Sequence, residues 1–267
     1  MDLRPVGIFD SGLGGLTAVK ALRALLPEEN IIYFADTARV PYGEKTPEEL
    51  RHIAQQDMDF LKAFNVKAIL AACGTISCNT AETIDAYPVK AFGVKDSAVS
   101  AMAQIPGNKP LAVIATEASI KSAGYYKAIK KLCPEREIIC IACPDFVPLI
   151  EGGRSSEDDG ELKMAVEKYL RPLKDADAAA LLLGCTHYGI ISRAIGNYLG
   201  PDCRLISAAD SAAASLSAYL KENELCGGEG MLKCFTSGSK EEFSLRAETF
   251  LGEKLSIMPE QVPVMEV

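Results

Sequence analysis

The sequence predicts an α/β protein made of two α/β lobes with mainly parallel sheets, and an active site in the cleft between them. Three observations support this prediction. Short apolar runs alternate with segments of helical period, the alternation restarts near residue 96, and polar or thiol side chains follow several apolar runs. Alternating strands and helices form parallel sheets that are covered on both faces. Functional residues gather at the carboxyl ends of such strands. Five side chains are expected at such ends and therefore in one cleft, namely Asp10, Asp36, Cys73, Thr116 and Cys185.

The first part of the chain supplies the elements of one lobe. Val6–Asp10 is an apolar strand followed by a glycine turn, and leucines at helical spacing continue to Pro27. After a strand at residues 31–36, residues 46–49 form a capping box with proline at the first helical position, which predicts a helix start. The remaining strands predicted in this part cover residues 68–73 and 91–94.

The second part repeats the alternation. Strands are predicted at residues 111–116, 137–143, 179–185, 203–207 and 231–236. Helices are predicted at residues 117–131, 162–173, 210–220 and 241–251, and a loop at residues 144–156. The last strand and helix come after the second lobe has closed, so we expect them to complete the first lobe. The predicted domains are therefore residues 1–95 plus 210–267, and residues 96–209.

Composition excludes several classes of partner. The 267-residue chain has a net charge of −8 and no basic stripe interleaved with aromatic residues, so nucleic acid is not expected. No apolar run is long enough to cross a bilayer and no signal-peptide core is found, which predicts a cytoplasmic protein without a membrane partner. The nine cysteines are then expected to be reduced, most of them as small buried apolar residues.

Two cysteines differ from the others because each follows an apolar strand directly. Cys73 is followed by Gly-Thr and Cys185 by Thr-His-Tyr. At the start of the next helix, unpaired N–H groups lower the pKa of a thiol. Two thiols on opposite sides of a small molecule suit the inversion of a carbon that bears an acidic hydrogen, since one removes a proton and the other delivers one. The alternative is that both are simply buried strand-end cysteines.

Two further side chains are candidates for acid–base work. His187 could hold the proton balance of Cys185, or it could be a hydrogen-bonded part of the loop wall. Asp10 could play the matching role for Cys73, or it could cap the helix that follows. The glycines after Asp10 predict a tight turn, because their spacing is not that of a dinucleotide-binding loop.

Redox and metal chemistry are not predicted. Cys140 and Cys143 have the spacing of a redox pair, but they lie inside an apolar strand and not at a helix start. With two scattered histidines, no zinc site is expected.

Several stretches together resemble glutamate racemase, of the cofactor-independent aspartate/glutamate racemase superfamily. They occur in the family's order at residues 7–16, 36–43, 116–122, 146–151, 184–188 and 235–252. The resemblance implies interconversion of L- and D-glutamate between two lobes, without pyridoxal phosphate or any other cofactor and without a metal. It also implies a bacterial role in supplying D-glutamate for peptidoglycan. A homodimer is suggested by family analogy alone.

The resemblance assigns roles by position. Cys73 is similar to the base that acts on the D-isomer and Cys185 to the base that acts on the L-isomer. Asp10 and His187 look like their assistants, and Glu151 looks like a residue that supports His187. The implied shell around the substrate consists of Ser11, Pro41, Tyr42, Gly43, Gly74, Thr75, Thr116, Ser119 and Thr186.

One departure from the family concerns the first thiol. The family usually has Cys-Asn-Thr there, whereas this chain has Gly74 after Cys73. A literal Cys-Asn-Thr starts at Cys78, but Cys73 is the residue that directly ends the strand, so we expect Cys73 to be the functional thiol. The contact of the missing asparagine is expected to be replaced by Asn79 or by a backbone N–H.

Three rival functions are weighed against glutamate racemisation. An aspartate racemase would share the superfamily, but Pro41-Tyr42-Gly43 and the Cys-Thr-His-Tyr run favour glutamate. A two-lobed amino-acid-binding protein without catalysis would have no use for strand-end thiols in both lobes. A regulatory protein that keeps the fold is the third rival, suggested by the missing asparagine.

Overall fold

The computed structural model describes residues 1–263 and contains two sheets of parallel strands. In chain order the strands of this range are β1 Val6–Asp10, β2 Ile31–Ala35, β3 Ala68–Ala71, β4 Ala91–Gly93, β5 Leu111–Ala115, β6 Ile138–Ala142, β7 Ala180–Leu183, β8 Arg204–Ser207, β9 Leu232–Thr236 and β10 Glu260–Gln261. The first sheet has the order β10–β9–β2–β1–β3–β4, and the second has the order β6–β5–β7–β8. The predicted α/β fold class with parallel sheets is confirmed.

Helices cover both sheets. They are α1 Leu16–Leu25, α2 Pro47–Lys62, α3 Gly74–Asn79, α4 Ala81–Asp85, α5 Val94–Ala103, α6 Glu117–Lys121, α7 Gly124–Leu132, α8 Phe146–Glu151, α9 Gly160–Asp175, α10 Ser192–Leu199, α11 Ala208–Glu222 and α12 Lys240–Leu251. Short 3₁₀ turns lie at Thr37–Arg39, Tyr42–Glu44 and Thr186–Ile191. The predicted capping box is present at the start of α2, where the side chain of Thr46 accepts from Glu49 N and the side chain of Glu49 accepts from Thr46 N.

Strand β1 is central in the first sheet. It pairs in parallel with β2 and β3, so that Phe9 lies beside Phe34 and Ala71. All five residues of β1 and of β2 are buried, as expected for strands covered on both faces. Because the pairs are parallel, the carboxyl ends of β1, β2 and β3 meet at one edge of the sheet.

The hydrophobic core joins the two sheets. One cluster of buried side chains runs from one face of the first sheet through α1, α5 and α11 to the second sheet. A separate cluster fills the space between α2 and the other face of the first sheet, where the ring of Phe60 contacts the rings of Phe34 and Phe235.

Strands β9 and β10 extend the first sheet on the side of β2, although they follow the second sheet in sequence. The domain limits at residues 95, 96, 209 and 210 stay a prediction, and residues 264–267 of the first domain lie outside the described range. Within residues 1–263, every helix is too short or too polar to cross a bilayer.

Two predicted elements are wrong. The predicted loop at residues 144–156 contains helix α8, because Pro148 is its third residue and no hydrogen-bond donor is needed in a first helical turn. The predicted helix at residues 117–131 is broken into α6 and α7 at Ala123, which has φ +55°. The Ser122 hydroxyl donates to Ser119 O at 2.8 Å and accepts from Gly124 N at 3.1 Å, and such local bonds compete with helix continuation. Helices α5 and α10 and strand β10 were not predicted.

Candidate active site

A cavity of about 510 Å³ opens where the carboxyl ends of the two sheets face each other. Cys73 follows β3 of the first sheet and Cys185 follows β7 of the second, and both thiols line this cavity. Each cysteine is extended and directly precedes a helical turn. The volume lies within the range of small-molecule sites.

The cavity brings together every residue predicted for the site. Its lining includes Asp10, Ser11, Pro41, Tyr42, Gly43, Cys73, Gly74, Thr75, Thr116, Ser119, Glu151, Cys185, Thr186 and His187. Their roles stay predictions. The sequence did not point to ten other lining residues, which are Gly12, Val40, Glu44, Glu117, Ala118, Cys143, Pro144, Val147, Pro148 and Gly184. Seven of them lie within the stretches that resemble glutamate racemase, and only Glu44, Cys143 and Pro144 lie outside those stretches.

Cys185 belongs to a hydrogen-bonded row of three side chains. Its Sγ lies 3.8 Å from Nδ1 of His187, whose Nε2 lies 2.9 Å from Oε1 of Glu151. Burial alone would lower the pKa of His187, but the contacts with Cys185 and Glu151 outweigh it and raise this pKa to about 10. The bond to His187 in turn lowers the pKa of Glu151. At neutral pH, His187 is therefore an imidazolium beside the Cys185 thiol.

Cys73 reaches Asp10 through a serine hydroxyl. Its Sγ lies 3.8 Å from Oγ of Ser11, and that hydroxyl lies 3.3 Å from Oδ1 of Asp10. Asp10 also accepts from the backbone N of Ser11 at 2.7 Å and from Oγ1 of Thr186 at 3.3 Å. One carboxylate thus contacts groups beside both thiols. Burial raises the pKa of Asp10.

The expected lowering of thiol pKa is wrong for Cys73. Burial of the side chain raises the pKa of Cys73, and the negative charge of Asp10 raises it further. Hydrogen bonds from the backbone of Ile76 and from Ser11 act in the opposite direction but are weaker. Without a substrate, Cys73 is a protonated thiol at neutral pH. The sequence reveals a helix start but not the depth of burial, which here has the larger effect.

The glycine turn after β1 makes room for the second thiol loop. A Cβ atom at Gly14 would lie within 3.0 Å of the His187 ring and of the Thr186 hydroxyl. Thr17 at the start of α1 donates its hydroxyl to Thr186 O at 3.2 Å. The turn therefore packs against the loop that bears Cys185, which agrees with a tight turn rather than a phosphate-binding one.

Hydroxyl groups line another wall of the cavity. Oγ1 of Thr75 lies 3.2 Å from Oγ1 of Thr116, which lies 3.0 Å from Oγ of Ser119. Thr116 also caps helix α6 by accepting from Ser119 N. Among the described residues that line the cavity there is no lysine or arginine. An anionic group entering the cavity would meet these hydroxyls, backbone N–H groups and the imidazolium of His187.

Tyr42 is held in the cavity wall by a buried ionic network. Its hydroxyl donates to Asp36, and Arg39 binds both Asp36 and Asp57, the latter at 2.6 Å between Nη2 and Oδ1. Burial raises the pKa of Asp57 strongly, and the charge of Asp36 adds to this effect. One guanidinium thus bridges two buried acidic side chains beneath the loop that carries Tyr42, and the raised pKa of Asp57 favours its protonated form.

The residues around the first thiol differ from expectation in one respect. Asn79 donates its side-chain amide to Thr75 O at 2.8 Å within α3, so it does not take the place of the missing asparagine. Cys78 is not part of the cavity lining and packs against Gly124 of α7.

Within residues 1–263, no three histidine, cysteine or acidic side chains are grouped so that they could hold a metal ion.

Comparison with known proteins identifies the family. The sequence profile of the Asp/Glu/hydantoin racemase family matches residues 17–216. A glutamate racemase from Thermoanaerobacter sp. is 39% identical over 257 residues, which is 96% of each chain. The chain belongs to the Asp/Glu/hydantoin racemase family.

Solved structures of family members agree with this assignment. Glutamate racemase from Francisella tularensis in complex with D-glutamate has a TM-score of 0.89 and 35% identity, with 98% of both chains covered. A glutamate racemase isoform from Bacillus anthracis has a TM-score of 0.90 and 32% identity, covering 99% of this chain and 100% of that chain. The predicted resemblance to glutamate racemase and the predicted enzyme class, an amino-acid racemase, are confirmed.

Proposed function

We propose that this racemase interconverts L- and D-glutamate by proton transfer between two thiols and the α-carbon, without a cofactor. The observation that carries the proposal is that Cys73 and Cys185 line one cavity from different sheets. Each thiol also has its own polar partner, Ser11 with Asp10 in one case and His187 with Glu151 in the other. Such pairs are what general acid–base catalysis at two faces of one carbon requires.

The proton inventory of the reaction balances without a co-reactant. With D-glutamate bound, the Cys73 thiolate takes the α-proton and becomes a thiol. The Cys185 thiol then delivers its proton to the opposite face of the carbanion and becomes a thiolate. L-glutamate leaves, and exchange with water restores the starting protonation states. The conversion of L-glutamate runs the same steps in reverse.

The electrostatics of the cavity suit these two thiols. In the empty cavity the charge of Asp10 helps to keep Cys73 protonated. A substrate ammonium group beside Asp10 would offset that charge and lower the pKa of Cys73 when a thiolate is needed. The imidazolium of His187 lies 3.8 Å from Sγ of Cys185 and would pair with the negative charge that forms there when Cys185 gives up its proton.

Glutamate is the substrate we favour because the chain is 30–39% identical to several proteins named glutamate racemase, over most of its length. The hydroxyls of Thr75, Thr116 and Ser119 suit a carboxylate group. As part of this proposal, the reaction takes place in the cytoplasm and supplies D-glutamate for peptidoglycan. A homodimer stays a prediction by analogy.

The proposal is tested by following the α-hydrogen in deuterated water. L-glutamate and, separately, L-aspartate are incubated with the enzyme and the α-proton signal is recorded by NMR, with chiral separation of the product. We expect glutamate alone to become racemic and α-deuterated, and we expect Cys73→Ser and Cys185→Ser to abolish this. Cys78→Ser, outside the cavity, is the matched control and should retain activity.

Three results would contradict the proposal. Exchange of the α-hydrogen in aspartate but not in glutamate would favour an aspartate racemase. Binding of glutamate without exchange would favour a binding or regulatory protein. Full activity of either cysteine variant would exclude that thiol as an acid–base group.

A further inference from the structure

The residues next to the two thiols touch each other through their main chains. Gly74 follows Cys73, and Gly184 precedes Cys185. A Cβ atom at Gly74 would lie within 3.0 Å of the carbonyl oxygen of Gly184, a separation that real Cβ atoms essentially never show. The close approach of the two thiol loops therefore requires a residue without a side chain at position 74.

The same carbonyl is bound by a buried tyrosine. The hydroxyl of Tyr125 on α7 donates to Gly184 O at 2.9 Å, and Tyr125 is 1% exposed. The hydroxyl also lies 3.5 Å from the position that a Cβ of Gly74 would take. Burial raises the pKa of Tyr125 well above its usual value, so the hydroxyl keeps its proton and remains a donor. Gly74 and Tyr125 thus both lie against the carbonyl oxygen of Gly184.

Gly184 is also constrained on its other side. Its backbone N donates to Ile114 O at 2.8 Å, and a Cβ on Gly184 would lie 2.9 Å from Ile114 O and from Cε2 of Tyr125. A peptide unit is planar, so fixing the Gly184 carbonyl also fixes the direction of the Cys185 N–H and the place of its Cα. The orientation of the Cys185 thiol therefore depends on what holds this carbonyl.

We propose that Tyr125 is a positioning residue for racemisation, which holds the Cys185 thiol at its working distance from Cys73 through the Gly184 carbonyl. The inference rests on the two-thiol function proposed above. Gly74 supplies the space in which this carbonyl lies, where the residue after Cys73 meets the residue before Cys185. The carbonyl of Gly184 lies nearest to the place that a side chain at position 74 would take, and the hydroxyl of Tyr125 lies farther out.

The break between α6 and α7 places Tyr125 where its hydroxyl can bind the Gly184 carbonyl. Ala123 adopts a left-handed conformation, and α7 starts at Gly124, directly before Tyr125. A Cβ at Gly124 would lie 3.0 Å from Cβ and O of Cys78, so α7 packs closely on α3. The tyrosine therefore extends from a helix that contacts α3, next to the Cys73 side, to the loop that carries Cys185.

The first test removes one hydroxyl. Tyr125→Phe keeps the ring that packs on Gly184 and loses only the bond to its carbonyl. We expect kcat to fall about tenfold in both directions, as for one buried hydrogen bond, while KM for each enantiomer stays within about twofold. The matched control is Tyr126→Phe on the same helix, since Tyr126 is 42% exposed and lies outside the cavity lining.

Isotope effects separate positioning from a general structural defect. If Cys185 is misplaced, proton transfer at Cys185 becomes the slow step in both directions. The α-deuterium isotope effect should then rise for L-glutamate, from which Cys185 takes the deuteron, and fall toward unity for D-glutamate. A loss of kcat with isotope effects unchanged for both enantiomers would mean a merely structural role and would overturn the inference, as would a wild-type kcat.

A double-variant cycle tests whether Tyr125 and Gly74 act at the same carbonyl. Gly74→Ala should displace Gly184 O, so adding Tyr125→Phe to it should cost less than the tenfold lost in the wild-type background. Multiplicative losses would contradict a shared carbonyl. The failure of this inference is distinct from that of the proposed function, because Cys73→Ser and Cys185→Ser would still abolish racemisation if Tyr125 had no positioning role.

Discussion

Replacement of Glu151 by glutamine should shift the pH dependence of racemisation. The Glu151 carboxylate lies 2.9 Å from His187 and helps to raise the pKa of that imidazole to about 10. A charged hydrogen bond contributes about 1.5–3 kcal/mol, and we take the lower end because the Glu151 side chain is 37% exposed. At about 1.4 kcal/mol for each pH unit, the pKa of His187 should fall from about 10 to about 9.

The assay is the rate of racemisation of L-glutamate between pH 7 and 10.5. If the Cys185 thiolate needs the imidazolium beside it, the alkaline limb of the profile should move down by about one pH unit. Activity at pH 9.5 should then be about threefold lower than in the wild type because fewer molecules carry the proton, while this effect should vanish near pH 7.5.

The control is Glu157→Gln in the same lobe. Glu157 has a side chain 29% exposed and binds Asn197 and Arg193, away from the cavity. The alkaline limb of the pH–rate profile of Glu157→Gln should lie at the same pH as that of the wild type. An alkaline limb that stays at the same pH in Glu151→Gln, or that moves upward, would refute the assigned coupling between Glu151, His187 and Cys185.

Three further predictions concern stability and the loops around the cavity. Gly14→Ala should destabilise the fold by about 1–3 kcal/mol in urea unfolding, because the new methyl group overlaps His187, whereas Gly12→Ala has open space and should unfold like the wild type. Arg39→Leu removes the buried guanidinium that binds Asp36 and Asp57 and should cost about 3–5 kcal/mol, while Asp57→Asn keeps the ion pair of Arg39 with Asp36 and should cost less; equal losses would contradict the network. Protonated His187 contributes stability that is complete below pH 6.5 and is lost as the pH rises through about 10. The melting temperature of His187→Gln should therefore fall less than that of the wild type between pH 6.5 and 10.

Much of the fold follows from local patterns. Apolar runs of strand length alternate with helical periods, and parallel pairing collects their carboxyl ends at one edge. This rule alone predicts five residues in one place, and four of them, Asp10, Cys73, Thr116 and Cys185, line the cavity. The fifth, Asp36, is not among the lining residues and binds Arg39 and Tyr42 instead. The capping box at Thr46 is equally local, since its partners lie three residues apart.

What the sequence could not predict depends on tertiary context. The proline in α8 signals a break, yet its position in the first turn makes it harmless. The raised pKa of Cys73 depends on how deeply the thiol is buried and on a carboxylate 63 residues earlier in the chain. From the sequence, Gly74 is only a missing asparagine. The reason for the glycine is that the carbonyl oxygen of Gly184 occupies the place of a Cβ atom, which can be seen only when both loops are in place.

The central claim, that two separate thiols serve the two faces of one carbon, is tested most directly by the early time course in deuterated water. L-glutamate is converted to a few per cent, and deuterium at Cα is measured separately in the remaining L-glutamate and in the newly formed D-glutamate. Since the thiol that delivers the proton is not the one that removed it, the new D-glutamate should be deuterated while the L-glutamate still carries hydrogen. New D-glutamate that retains the original α-hydrogen would mean that a single group moves the proton, and would contradict the account.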